Sequence, residues 1–258
     1  MKGNNLTEKE SNILKAVLEY LEKIEDESSI LKANLLENEE KDFIYNNVNA
    51  FIIGLIADQS VNASVAWSLP YKLSKRIGYF DFNRILKEYN EAKLENLIRK
   101  NKALHRYPKK MANYIYSAIY DIVNKYDSNA SNIWKGQSAA SIVSNLEKFK
   151  GISHKKASLG TLILVRDMNV NILDKENIDI AYDIHIRRLF LRLGLVENDN
   201  QKEIIDEARK LYPSFPGKLT TAFWNLGRTF CFPTNPLCLK CPLCNLCCKA
   251  IDKSKNVK

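Results

Sequence analysis

Cys231-Phe232-Pro233-Thr234-Asn235-Pro236-Leu237-Cys238-Leu239-Lys240-Cys241-Pro242-Leu243-Cys244-Asn245-Leu246-Cys247-Cys248 is the stretch on which the reading of this chain turns. All six cysteines of the 258 residues fall within it. Four of them, Cys231, Cys238, Cys241 and Cys247, follow the spacing C-x6-C-x2-C-x5-C. Thiolates are soft ligands, and four together suit either a tetrahedral zinc ion or a [4Fe–4S] cube. Zinc sites usually offer two close cysteine pairs, whereas Cys231 stands seven positions before its neighbour. Pro233, Pro236 and Pro242 suit a loop wrapped around a compact inorganic body. Cys244 and Cys248 are surplus, and they create the rival pairs Cys241/Cys244 and Cys244/Cys247 that a zinc ion could use. The spacing therefore favours iron–sulfur over zinc, with disulfides third.

Upstream of this tail, helical periodicity dominates. Thr7 and Glu10 form a capping-box pattern ahead of Ile13, Leu14, Val17, Leu18, Leu21 and Ile24, so a first helix is expected within 6–36. Further helices are expected over 42–57, 61–77, 81–100, 108–126, 137–149, 154–166, 184–194, 201–211 and 217–228. Pro70 should kink or break the helix over 61–77 near Ser68. Period-2 alternation is confined to a short stretch near Met168–Leu173, and no internal repeat is evident. The expected fold class is all-α.

Composition narrows the partner. Hydrophobic residues make up 45% of the chain, an ordinary value for a globular protein, and no apolar run is long enough to span a bilayer. The first residues lack a signal-peptide layout, so a cytoplasmic protein is expected, nucleoid-associated or nuclear according to the source. The first 50 residues hold six Lys against eleven Asp and Glu, while the rest hold 33 basic residues against 19 acidic ones. That excess favours a polyanionic partner, because each neutralised phosphate releases counterions. Lys93, Arg99, Lys100, Lys102, Arg106, Lys109 and Lys110 concentrate it, although a solvated helix face accounts equally well for half of them.

The segment Trp224-Asn225-Leu226-Gly227-Arg228-Thr229-Phe230-Cys231, followed by the 6-2-5 spacing, resembles the C-terminus of endonuclease III and its relatives. These are DNA glycosylases of the helix-hairpin-helix superfamily. The resemblance implies a [4Fe–4S] cluster on Cys231, Cys238, Cys241 and Cys247 that is structural and takes no part in base excision.

A second match is independent of the cysteines. Phe149-Lys150-Gly151-Ile152-Ser153-His154-Lys155-Lys156-Ala157 resembles the family's L-P-G-V-G-R-K-T-A hairpin. A glycine turn that opens a helix directs N–H groups and a helix dipole outward, which suits a phosphate. The resemblance implies that Gly151, Ser153, His154 and Lys156 grip the DNA backbone. Lys150 replaces the usual proline, and Ser153 replaces the second glycine at an expected cost in backbone freedom. Lys155 aligns with the catalytic lysine of the bifunctional members; without the resemblance it reads as a solvated lysine. Its amine needs a lowered pKa to attack, from burial or from a cation such as Lys156 or His154. A register shift of one would hand the role to Lys156.

Asp183, in Tyr182-Asp183-Ile184-His185, matches the family's V-D-T-H. It implies a carboxylate that stabilises oxocarbenium charge, and an N-cap is the plain structural reading. His185 reads as a structural hydrogen-bonder. Lys155 and Asp183 lie 28 positions apart, longer than the family pattern, which points to an insertion over Arg166–Ile180. Gln59, in Leu55-Ile56-Ala57-Asp58-Gln59-Ser60-Val61, resembles the glutamine that fills the gap left by a flipped base. Adenine-removing relatives carry glutamate where this chain has Leu55, and serine where it has Lys155, which argues against that substrate.

The resemblance covers roughly residues 45–250. It implies two helical domains flanking a DNA-binding cleft: a bundle over 50–165, and a second domain from 1–49 with 166–258. The expected protein is a monomeric base-excision glycosylase with β-lyase activity on duplex DNA bearing a modified base or an abasic site. The alternatives are a DNA-binding iron–sulfur or zinc module without catalysis, and a monofunctional glycosylase relying on Asp183 alone.

Overall fold

The computed structural model describes residues 6–29 and 35–249. Among them are twelve α-helices and no strand, in agreement with the all-α expectation. In order they are α1 (Glu8–Ser28), α2 (Asn38–Asn46), α3 (Val48–Ala57), α4 (Ala63–Ile77), α5 (Phe82–Glu88), α6 (Glu91–Arg99), α7 (Pro108–Lys125), α8 (Ala139–Glu147), α9 (His154–Arg166), α10 (Ile184–Leu193), α11 (Gln201–Leu211) and α12 (Leu219–Thr229). They form two compact units, a discontinuous one of Met1–Ser28 with Leu173–Lys258, and a continuous one of Ser29–Ile172. None of these helices is long and apolar enough to cross a membrane.

The continuous unit is built around α3. Its sequence Val-Asn-Ala-Phe-Ile-Ile-Gly-Leu-Ile-Ala is apolar on every side, and Ala50 through Ala57 are all buried. A helix without a polar face must be wrapped by others. Here α2, α4 and α7 pack against it. Phe51 sits between Trp67 of α4 and Trp134, with ring centroids 5.7 Å and 5.6 Å away. Each such large side chain contributes about 1.5–3 kcal/mol by leaving water. The Asn47 side chain caps the start of α3 by accepting from Asn49 N–H at 3.2 Å. On α9, Gly160 is the point of approach to α3: a Cβ there would lie 2.6 Å from Leu55 Cδ2. That contact brings the helix carrying Lys155 down onto the core.

In the discontinuous unit, α1 buries Ile13, Val17 and Leu21 in a core shared with Ile186, Phe190 and Leu193 of α10 and Phe223 and Leu226 of α12. Phe190 and Phe223 pack with centroids 4.8 Å apart. The expected capping box is present, with Thr7 N–H donating to Glu10 Oε2 at 2.8 Å and Glu10 N–H donating to Thr7 Oγ1 at 3.2 Å.

Several boundaries differ from the sequence reading. Residues 42–57 form two helices because Asn47 leaves helical geometry (φ −133) and caps the second. The span 81–100 also divides, at Asn90, whose side chain accepts from Lys93 N–H at 2.9 Å. α4 runs on through Pro70 without a break; the lost amide donor is outweighed by burial of Trp67, Leu69, Pro70 and Leu73. The part of the first expected helix over 30–34 lies outside the described residues. The compact units divide at 28/29 and 172/173, whereas the sequence placed the boundaries at 49/50 and 165/166. The reason at the first boundary is α2, which packs on α3 and α4.

The chain passes from one unit to the other within residues 166–180. Two acidic residues of this stretch are paired: Asp167 with Arg166 at 2.7 Å and 2.9 Å, and Asp179 with Arg209 at 2.7 Å and 2.9 Å. Ile178 and Ile180 are buried, and Gly217 N–H donates to Ile178 O at 2.7 Å. The second half is therefore docked on the discontinuous unit.

Candidate nucleic-acid interface and cysteine loop

The hairpin joins α8 to α9 through Gly151. Its φ of +86 lies in the left-handed region, and a Cβ there would fall 2.4 Å from the Tyr114 ring of α7, so only glycine fits. Ile152 N–H donates to Phe149 O at 3.1 Å and closes the turn. Ser153 follows with φ −87, an ordinary value, so the expected cost of replacing glycine there does not arise. No side chain caps α9, and Lys155 is exposed on its first turn. The His154 ring is held at Nδ1 by Glu147, 2.8 Å away.

Lys156 behaves differently from its neighbour. Its ammonium turns inward and donates to Ile56 O and to Gly151 O, both at 2.9 Å. The residue expected on the DNA-facing surface is thus committed to two backbone carbonyls, one at the end of α3 and one in the hairpin. Burial brings its pKa down to about 8; Asp58 opposes that fall, while Lys110 and Lys155 reinforce it.

These contacts belong to a polar cluster closing the C-terminus of α3. The last carbonyls of a helix have no partner within it. Asp58 N–H serves Gly54 and Leu55, Lys156 serves Ile56, and His105 serves Ala57. Tyr107 N–H donates to His105 Nδ1 at 3.1 Å, so the ring proton sits on Nε2 and faces Ala57 O at 3.1 Å. Burial holds the pKa of His105 below its ordinary value, in keeping with a neutral ring. Gln59, partly exposed, donates from Nε2 to Ile56 O at 2.9 Å, and so shares that carbonyl with Lys156.

Asp58 was not singled out in the sequence. Burial pushes its carboxyl up, against the pull of Lys156, the Trp67 indole and Lys155. Among the described residues the buried Trp67 N–H meets no acceptor at hydrogen-bond geometry, although it lies near enough to this carboxylate to ease its charge. One signal was available: an acid at the C-terminus of an apolar helix opposes the helix dipole and calls for a cation. The structure thus gathers Gln59, Gly151 and Lys156, with Lys155 in electrostatic reach of Asp58.

Asp183 lies in the discontinuous unit, as the N-cap of α10. Its Oδ1 accepts from His185 N–H at 2.9 Å and Ile186 N–H at 3.0 Å, which fixes the carboxylate's direction. His185 is structural: Arg188 Nη2 donates to its Nδ1 at 3.1 Å, and its ring meets the edge of Trp224 at 6.3 Å.

The cysteine loop wraps one end of the same unit. Cys231, Cys238, Cys241 and Cys247 line a single hollow of about 360 Å³ including its open mouth, and Cys244 joins them. Successive tight turns, Cys241 N–H to Cys238 O at 3.0 Å and Cys247 N–H to Cys244 O at 3.2 Å, coil the backbone around it. Leu243, fully buried, pins the loop to the core. Arg192 donates to Cys231 Sγ at 3.2 Å, Phe232 O at 2.8 Å and Pro233 O at 3.0 Å. Burial, and then the neighbouring sulfurs, push the Cys241 thiol up to about 11, so four thiolates here need a cationic core among them. Among the described residues no three His, Cys, Asp or Glu side chains converge on one ion. The four cysteines around one hollow are a soft donor set that suits a thiolate-bound metal centre. Cys248 lies apart, its Sγ 2.8 Å from Lys9 Nζ.

The model of the HhH-GPD superfamily of base excision DNA repair proteins matches residues 53–214. Endonuclease III of Thermotoga maritima is 36% identical over 69 residues, a match spanning 26% of this chain and 32% of that protein. A trapped covalent endonuclease III–DNA intermediate superposes with a TM-score of 0.66 at 19% identity, covering 95% of this chain and 97% of the other. A non-covalent endonuclease III–DNA complex gives 0.64 at 19% identity with the same coverage. A thermostable thymine-DNA glycosylase gives 0.61 at 14% identity, covering 93% and 95%. At these identities the structural likeness establishes the fold, which is endonuclease III-like.

Proposed function

This chain belongs to the HhH-GPD superfamily of base excision DNA repair proteins, and from that premise we propose that it is a DNA glycosylase with β-lyase activity. Its substrate is duplex DNA bearing an oxidised or otherwise modified base, or an abasic site. The observation that carries this reading is Lys155: an exposed lysine on the first turn of α9, next to a glycine hairpin and close to the charges of Asp58 and Lys156.

In this reading the Gly151 turn and the start of α9 bind a backbone phosphate. Gln59 fills the space of the flipped nucleotide. The Lys155 amine attacks C1′; the glycosidic bond breaks and its electron pair leaves with the base, which takes up the proton released by the attacking nitrogen. The C1′–O4′ bond then breaks, O4′ taking a proton from solvent, to leave an imine to Lys155; loss of a C2′ proton to solvent then expels the 3′ phosphate. Asp183, aimed by its cap, stabilises positive charge developing on the sugar. Cys231, Cys238, Cys241 and Cys247 would hold the [4Fe–4S] cluster, which when bound cross-links the loop through four iron–thiolate bonds.

Borohydride trapping on duplexes carrying defined lesions or an abasic site tests the proposal. Wild-type protein is expected to trap, and Lys155→Ala to lose trapping. Base release without trapping would instead support a monofunctional glycosylase using Asp183, and binding with neither would support a non-catalytic module. A brown protein absorbing near ~400 nm supports the cluster, and a colourless zinc-loaded one overturns it.

A further inference from the structure

Two donors meet on one carbonyl at the end of α3. Ile56 is fully buried, and its oxygen accepts from Gln59 Nε2 and from Lys156 Nζ, each at 2.9 Å. For Gln59 to enter a duplex, its amide must leave that oxygen. A buried carbonyl stripped of its donor is costly, so the departure would be opposed. The second donor removes that opposition. The same ammonium also holds Gly151 O at 2.9 Å, joining the hairpin to the segment that carries Gln59.

We propose that Lys156 is a positioning residue for Gln59: it keeps Ile56 O satisfied when Gln59 swings into the gap, and it ties that motion to the phosphate-binding hairpin. This inference rests on Gln59 being the gap-filling residue of the glycosylase reading. It assigns Lys156 neither to a DNA phosphate nor to the sugar. Asp58 sits beside the ammonium and favours its charged form. Three further side chains fix the surroundings: Lys110 and neutral His105 lie nearby, and Tyr114 packs under Gly151.

The test is a double-mutant cycle in the full protein, read as preference for a duplex with a tetrahydrofuran abasic analogue over the undamaged duplex. Gln59→Ala and Lys156→Met are each expected to lower that preference about tenfold, and the double variant to lower it no further, because both act through one step. Lys156→Arg, which keeps two donors, is expected to restore most of it. Lys156→Gln, keeping an amide donor, repeats the cycle should the methionine variant not fold, with the same non-additivity. Additive losses, about a hundredfold in the double variant, overturn the proposal. So does a salt dependence shallower by about one phosphate contact in Lys156→Met, which would place the amine on DNA. Loss of borohydride trapping in Lys156→Met with Lys155 intact also overturns it, by making Lys156 the nucleophile. A Gln59→Ala protein with wild-type preference removes the gap-filling assignment and this proposal together, yet leaves the Lys155 trapping result standing.

Discussion

Gly151 shows how much one residue can hold in place. An alanine there would have to adopt φ +86 and push against the Tyr114 ring. The left-handed conformation alone costs an L-residue about 1–2 kcal/mol, before any steric adjustment. Gly151→Ala is therefore expected to lower stability by about 2 kcal/mol or more in chemical denaturation. It is also expected to slow trapping, because the hairpin carbonyl that meets Lys156 must shift. Individual residues were unevenly legible. Gly151, Lys155, Asp183 and the cysteine quartet stood out because each sits in a local pattern of neighbours. Asp58 and His105 did not, since their roles depend on partners distant in the chain: His105 reaches Ala57, and Asp58 meets Lys156. Ser153 misled in the other direction, because a sequence shows that glycine is absent but not whether its special φ was needed.

At the scale of elements, α3 matters most, and its C-terminal end is closed by side chains from elsewhere. His105 contributes as a neutral ring, accepting at Nδ1 and donating from Nε2. Its folded pKa is depressed by burial below 6.5. The unfolded chain therefore binds the proton more readily, so this contribution is fully present above about pH 6.5 and is lost as pH falls toward the folded value. Denaturation midpoints across about pH 5–7.5 are expected to show a decline in the wild type that is reduced in His105→Gln. An unchanged pH dependence in that variant would argue against the neutral cap. Helix existence was well read from periodicity. The misplaced ends came from residues whose capping role only the structure reveals, Asn47 and Asn90. Pro70 was over-weighted, because an amphipathic helix can retain its course through a proline that sits on its buried face.

For the whole molecule, the division into two units was harder to see than the fold class. α2 is acidic like the region before it, yet Glu40 is buried and pairs with Lys72 of α4 at 3.2 Å. Charge along the chain was therefore a poor guide to which unit a helix joins. The cysteine loop belongs wholly to the discontinuous unit, where Arg192 and Arg188 link it to α10 through Phe232 O and Cys231 O. Removing the proposed cluster, or Cys238→Ser, is expected to speed amide hydrogen exchange in α10 and α12. Exchange in α3, α4 and α7 should stay near the wild-type rate. Uniform acceleration across both sets of helices would show that the loop's influence is not confined to its own unit.

The discontinuous unit also has a history that its finished form conceals. α1 leaves the ribosome before its partners, for the helices that cover Ile13, Val17 and Leu21 begin only at Ile184 and end at Thr229. The whole of Ser29–Ile172 can fold while α1 still waits for its partners. During that interval the nascent chain carries an uncovered apolar stripe tethered to a completed bundle. That stripe is the segment a chaperone would meet first, and it is where a stalled or truncated polypeptide would begin to aggregate.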